Sequence, residues 1–220
     1  LEFRRVLFRS LMHRFDEEEF RGLAAGRLNR APVEKARFSD DDLNPEARII
    51  PPGVVPKPAA VLVPVIAGAD GLRVLLTQRT AHLSSHAGQV AFPGGRIDET
   101  DAGPVAAALR EAEEETGIAA RFIEPLGFLD TYLTGTSYRV VPVVAVLRPG
   151  YRLSPHAGEV ADIFEVPLAF LMNPDHHLRH SRVFQGRERF YYAMPYGERY
   201  IWGATAGMIR NLYTLLYAPR

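Results

Sequence analysis

REAEEETGI, Arg110 to Ile118, places four glutamates within five positions and closes on Thr116-Gly117. On a helix advancing about 100° per residue, Glu111, Glu114 and Glu115 stand as i, i+3 and i+4 and share an arc of roughly 100°, while Glu113 points elsewhere. Val105, Ala108, Leu109 and Ala112 fill the neighbouring arc, so the helix is expected to bury that side and crowd three carboxylates on its rim. Like charges at this spacing repel by a few tenths of a kcal/mol in water, and by more where partly buried. A solvated acidic face is one reading of such a run. The other is a device that holds a hard divalent cation, which takes oxygen ligands and reverses the sign of the repulsion.

Working outward, Gly117 is expected to end the helix, and Asp101 or its neighbours Asp98 and Glu99 to cap its start. Upstream, AAVLVPVIAG (59–68) and LRVLLTQR (72–79), separated by Ala69-Asp70-Gly71, read as a hairpin. Downstream, 122–134 and 137–147 read as two strands around Gly135, and IFEVPL (163–168) as another leading into a short helix AFLM. A late hairpin is expected around RVFQGRERFYYAM and a closing helix from about Ala204 to Tyr217. An amphipathic helix is expected over Asp16–Leu28. PPGVVPKP (51–58) forbids helix and favours extended chain. Strands mixed with a few helices, without strict alternation, give an α+β or three-layer sandwich class.

The chain of 220 residues, 47% hydrophobic, suffices for one sizeable core. Its 26 basic and 26 acidic side chains balance, which leaves no basic footprint for nucleic acid. No apolar run is long enough to span a bilayer, and with no plausible signal segment the cytoplasm is the default expectation. There are no cysteines, which removes thiolate nucleophiles and Cys-based metal sites. LEFRRVLFRS (1–10) has the Arg-rich look of a transit peptide but resembles the in-frame translation of a sequencing adapter; without it, 23 basic side chains face 25 acidic ones, a formal charge of −2, and the start is expected at Met12 or upstream. The expected organisation is therefore an extraneous 1–10, an N-terminal helix and linker over 11–58, and the main domain over 59–220.

Read as a whole, LLTQRTAHLSSHAGQVAFPGGRIDETDAGPVAAALREAEEETGI (75–118) resembles the Nudix hydrolase signature. Arg110, Glu111, Ala112, Glu114, Glu115, Gly117 and Ile118 fill its second half. In the first half, 14 residues separate Gly95 from Arg110, one more than the general pattern, and the spaced Glu falls on Asp101 counted forward or Ala102 counted backward. That longer spacing and LLTQRTAHLSSHAGQVAFPGG together resemble the coenzyme A diphosphatase branch, with Thr80 where Ser is usual. VVPVV, GEVADIFEVPL and IWGATAGMIR resemble further stretches of that branch, so the likeness runs from about 59 to 215.

The resemblance implies a Nudix-type α/β/α sandwich with a mixed β-sheet and a catalytic loop-helix-loop. It implies metal-dependent hydrolysis of coenzyme A or its derivatives to adenosine 3′,5′-bisphosphate and 4′-phosphopantetheine, with Mg²⁺ or Mn²⁺ on Glu111, Glu114, Glu115 and the Gly95 carbonyl. Arg110 would orient those acids. Glu115, or Glu159 in the loop HAGEV, would be the base. Arg79 and His86, in the upstream motif, are candidate contacts for substrate phosphate, and His82 a weaker one. For the aromatic cluster Phe190, Tyr191, Tyr192 and Trp202, core packing is expected over stacking on adenine. Other nucleoside diphosphate derivatives as substrate, such as nucleotide sugars or dinucleoside polyphosphates, stay open at this point, as does a non-catalytic binding module. The partner implied is a small molecule, not nucleic acid or membrane; a homodimer is left open, with the VPVV strand and the N-terminal helix as the surfaces that would form it.

Overall fold

Two strands, β2 (Lys57–Gly68) and β8 (Tyr138–Leu147), run parallel along the middle of a mixed sheet and pair from Lys57↔Tyr138 to Ile66↔Leu147. In this computed structural model residues 15–50, 53–83 and 86–219 are described; the adapter-like 1–10 lies outside them. Both strands are almost continuously apolar because both faces of the sheet are covered. Ala60 and Leu62 of β2, with Leu75, Val143 and Ala145, meet α2 (Pro104–Thr116) through its Ala107, Ala108 and Ala112. Ala59, Val63 and Val65 point to the other face, where α1 (Glu17–Arg27) contributes Phe20 and Ala24 and α4 (Ala204–Leu216) contributes Ile209, Leu212 and Leu216. Each fully buried Leu or Ile contributes roughly 1.5–3 kcal/mol by leaving water, so this three-layer arrangement is held chiefly by its two apolar seams.

The expected hairpin forms as β2 and β3 (Gly71–Arg79), antiparallel from Val65↔Val74. The far edge of β3 pairs with β9 (Val160–Pro167), the edge it shares with β2 takes β4 (Val90–Ala91) further along, and β5 (Gly94–Arg96) pairs antiparallel with the first half of β2. Beyond β8 lie β6 (Ile123–Phe128) and β7 (Tyr132–Leu133), the latter parallel to β1 (Phe38–Ser39). After the short α3 (Leu168–Leu171), a separate antiparallel sheet follows: β10 (Leu178–Phe184), β11 (Arg187–Tyr196) and β12 (Arg199–Trp202). The N-terminal helix occupies nearly its expected range, with Asp16 accepting from the Glu19 amide at 2.8 Å as N-cap.

Two expectations fail for physical reasons. The strand read over 122–134 is two, because Leu129 to Thr131 leave the ladder to receive the linker, the Arg37 amide donating to the Thr131 carbonyl and the Thr131 hydroxyl to the Val33 carbonyl; a register shift between Pro125 and Gly127 lies within the first of them. The VPVV segment cannot form an interface, since Val141, Val143 and Val144 are buried between β2 and β6. Among the described residues, no helix is long and apolar enough to cross a membrane.

Candidate active site

The second half of α2 is gripped from three sides. From β5, the Gly94 amide donates to Glu115 Oε2 at 3.1 Å. From the end of β3, Arg79 Nη1 reaches Glu115 Oε1 at 3.4 Å. From the loop before β9, the Ser154 and His156 amides donate to the carbonyls of Thr116 and Glu115, at 2.8 and 3.0 Å. That loop is fastened to β3 in turn: the Thr80 amide donates to the Glu159 carbonyl at 2.9 Å and its hydroxyl to that of Gly158 at 3.3 Å. Residues separated by some 80 positions thus share one site. Gly117 ends the helix in the left-handed region, φ 76°, with its amide on the Glu113 carbonyl.

The helix start differs from expectation. Its N-cap is Gly103, with Pro104 in the first turn and no side-chain cap. Asp101 is drawn away by Arg110, whose Nε and Nη2 donate to its carboxylate at 3.1 and 2.9 Å. This bidentate pair lowers the pKa of Asp101 and raises that of Arg110. The same guanidinium reaches Glu111 at 2.9 Å, Glu114 at 3.5 Å and Asp98 at 3.6 Å. Arg110 therefore holds one edge of the acid group together.

Glu115 is not on the rim. It is 4% exposed, and burial pushes its pKa up to about 7 against the opposing pull of the Gly94 amide and Arg79, with Glu111 and Glu159 adding to the rise. Glu111, half-buried, is also raised, by burial first and then by Glu114 and Glu159 against Arg110. Four carboxylates from a helix and a distant loop thus feel one another, while Glu114 and Glu159 face solvent.

The donors present suit a hard divalent cation: carboxylate oxygens only, mutually repelling, beside backbone with no side chain in the way. A Cβ on Gly95 would lie 2.5–2.6 Å from all three atoms of the Glu111 carboxyl group, so the bare backbone is what makes room there. Among the described residues no three His, Asp or Glu side chains already converge on one point. Arg79 and Arg110 supply the counter-charge in this structure, and Arg79 keeps a buried Nε without a hydrogen-bond partner.

The adjacent glycines separate fold from site. A Cβ on Gly94 would meet the Ala60 carbonyl and sit 2.6 Å from Val61 Cα, at φ 155°; that backbone cannot yield, and Gly94→Ala is expected to destabilise by about 2 kcal/mol or more in chemical denaturation. On Gly95 the obstacle is the movable end of Glu111. Gly95→Ala is expected to keep the denaturation midpoint within a few degrees while activity falls by about tenfold or more.

Among the other candidate residues, His86 lies on the exposed loop at φ 56° with Nδ1 2.9 Å from Gln89 Oε1, and His82 is also exposed. Neither contacts the acids. The aromatic cluster is core only in part: Tyr192 packs against the main core, while all four rings, Phe190, Tyr191, Tyr192 and Trp202, are half-buried and wall a cavity. The reading from sequence missed Asp101 and Asp98 as partners of Arg110, although two acids in the loop before a helix carrying an inward arginine were a usable signal.

Residues 56–186 match the NUDIX domain model. A protein of Escherichia coli (strain K12) described as "Uncharacterized Nudix hydrolase NudL" is 43% identical over 155 residues, 70% of this chain and 80% of that one. Among solved structures, a C. elegans Ap4A hydrolase binary complex aligns with TM-score 0.44 and 23% identity over 50% of this chain and 80% of that chain. With the domain match covering more than half its length and a relative of that identity, the chain belongs to the Nudix family, as one of its pyrophosphohydrolases.

Proposed function

We propose that this enzyme cleaves the pyrophosphate bond of coenzyme A or its derivatives. The observation that carries the reading is the meeting of two sequence motifs in one place. The upstream motif ends β3 with Arg79 on Glu115 and Thr80 on the Glu159 loop, so the segment that resembles the coenzyme A branch borders the acid group directly. That placement fits a segment that selects substrate as well as bracing the loop.

A divalent cation, Mg²⁺ or Mn²⁺, held by Glu111, Glu114 and Glu115 with the Gly95 carbonyl, would neutralise the diphosphate charge and acidify a water. The protein supplies the rest. Arg110 keeps Glu111 and Glu114 from splaying apart, and the Gly94 amide and Arg79 fix Glu115. Glu159, or Glu115 as the alternative, is assigned to take the proton of the attacking water; Glu159 faces solvent and adds to the raised pKa of both Glu111 and Glu115. The water oxygen bonds to one phosphorus, the bond from that phosphorus to the bridging oxygen breaks, and the bridging oxygen leaves on the other phosphate. Two phosphomonoesters result: adenosine 3′,5′-bisphosphate and 4′-phosphopantetheine, or its acyl form. Arg79, with its spare Nε, and His86 are the contacts assigned to substrate phosphate.

Incubation with coenzyme A and Mg²⁺ or Mn²⁺, followed by chromatographic identification of products, tests this. Adenosine 3′,5′-bisphosphate is the expected product. A nucleotide sugar or dinucleoside polyphosphate with higher kcat/KM than coenzyme A would overturn the substrate assignment and leave the chemistry standing.

A further inference from the structure

A cavity of about 290 Å³ opens between β11, β12, the start of α4 and the segment around β1. Its aromatic lining includes Tyr191, Tyr192 and Trp202, with Tyr191 and Trp202 edge to face at 5.2 Å, beside Phe38, Tyr132 and Phe190. Three arginines line it. Arg182 lies over Trp202 and Arg210 over Tyr192, each with its guanidinium carbon 4.7 Å from the ring centroid. Arg189 is 6% exposed; its Nη2 donates to Asp41 Oδ1 at 2.8 Å and to the Asp40 carbonyl at 3.2 Å, while its Nη1 is buried without a partner. A dry, unpaired guanidinium N–H is costly in any folded protein and asks for an acceptor.

The acids on the same wall do not answer that demand. Asp42 accepts from the Ser39 amide and hydroxyl at 2.8 and 2.6 Å, and Asp40 from the Tyr132 hydroxyl and Gly135 amide at 2.9 and 2.6 Å. Their oxygens are engaged by the protein, whereas the arginines remain as donors. Flat aromatic faces beside guanidinium forks suit a ligand that is itself a flat ring bearing an oxyanion. The volume, near the lower end of the roughly 300–1,000 Å³ usual for small-molecule sites, suits one nucleotide and not a whole coenzyme A.

We propose that this cavity binds a purine nucleoside carrying a phosphate group, with the ring against Trp202 and Tyr191 and the phosphate on Arg189 and Arg182. β12 links the cavity to the strands of the acid site. Arg199 at its start bonds Gln78 of β3 and Asp162 of β9, and Thr205, just past its end, donates to the Val90 carbonyl of β4 at 3.0 Å. The coenzyme A reading enters only in the source of the ligand, which is either the nucleotide end of that substrate or a free nucleotide.

Trp202 is the one tryptophan of the chain, so its fluorescence reports occupancy directly. Titration with adenosine 3′,5′-bisphosphate in metal-free buffer is expected to give saturable quenching, with adenosine binding at least about tenfold more weakly. Arg182→Ala, at an exposed position, and Arg189→Lys, which keeps a cation for Asp41, are each expected to weaken the bisphosphate by about tenfold or more, with thermal melts reporting the fold. Absence of saturable quenching overturns the proposal, as does equal affinity for adenosine or unchanged affinity in a folded Arg182→Ala. Competitive inhibition of coenzyme A cleavage by the bisphosphate assigns the cavity to the substrate's nucleotide end; non-competitive inhibition assigns it to a free nucleotide. Quenching without coenzyme A cleavage sinks the substrate reading alone, and cleavage without quenching sinks the cavity assignment alone.

Discussion

Glu114→Gln is expected to lower kcat for pyrophosphate cleavage by about 10²–10³-fold, the equivalent of several kcal/mol of transition-state stabilisation, if Glu114 holds the cation as proposed. The amide keeps the shape and removes the charge. Stability should barely move, because the Glu114 side chain is 61% exposed and its contact with Arg110 is a loose 3.5 Å one. Steady-state kinetics with saturating metal, beside a thermal melt, check both halves. Retention of more than about a tenth of wild-type kcat would remove Glu114 from the metal set, whereas a large drop in melting temperature would turn an exposed acid into a structural one.

The second large effect concerns Glu115 and pH in the metal-free protein. Its folded pKa, about 7, lies above the ordinary glutamate value of 4.5, so the folded state disfavours the charged form. Between those values the folded chain binds more protons than the unfolded one, and stability falls as pH rises. This contribution is full below about pH 4.5, is lost through the window up to about 7, and amounts to about 3 kcal/mol at 1.36 kcal/mol per pKa unit. Denaturation of metal-free protein at pH 5 and pH 8 measures it. Glu115→Gln is expected to flatten that dependence while abolishing turnover, since the neutral amide can still accept from Gly94. A wild-type profile already flat across that window would contradict the buried, disfavoured charge.

What could be read ahead of the structure divides along the range of the interactions involved. The period of α2 is local, and its acid arc, its terminator Gly117 and the β2–β3 hairpin follow from neighbours in sequence. The burial of Glu115 is not local: it depends on the Gly94 amide and on Arg79, 21 and 36 positions away. Asp101 offered the right chemistry for an N-cap, but Arg110, nine positions on, outcompetes the helix amides with a charged bidentate partner. Strands β1 and β7, two residues each, carry no period that a pattern could show. Arg189 and Asp41, 148 positions apart, form a buried pair visible only once β11 lies against the linker. The aromatic cluster illustrates the same limit, since a stripe of rings looks alike whether it faces a core or a cavity.

A divalent cation that relieves the repulsion within this acid group must displace the proton that burial favours on Glu115, so metal uptake and proton release are coupled. Calorimetric titration of the metal-free protein with Mn²⁺, repeated in buffers of different ionisation enthalpy, gives the protons released on binding. At pH 7, where Glu115 is near half-protonated, release of about half a proton per site is expected, falling toward zero by about pH 8.5. Binding heat with no proton release at pH 7, or no saturable uptake of Mn²⁺ at any pH, would show that these acids do not hold the cation.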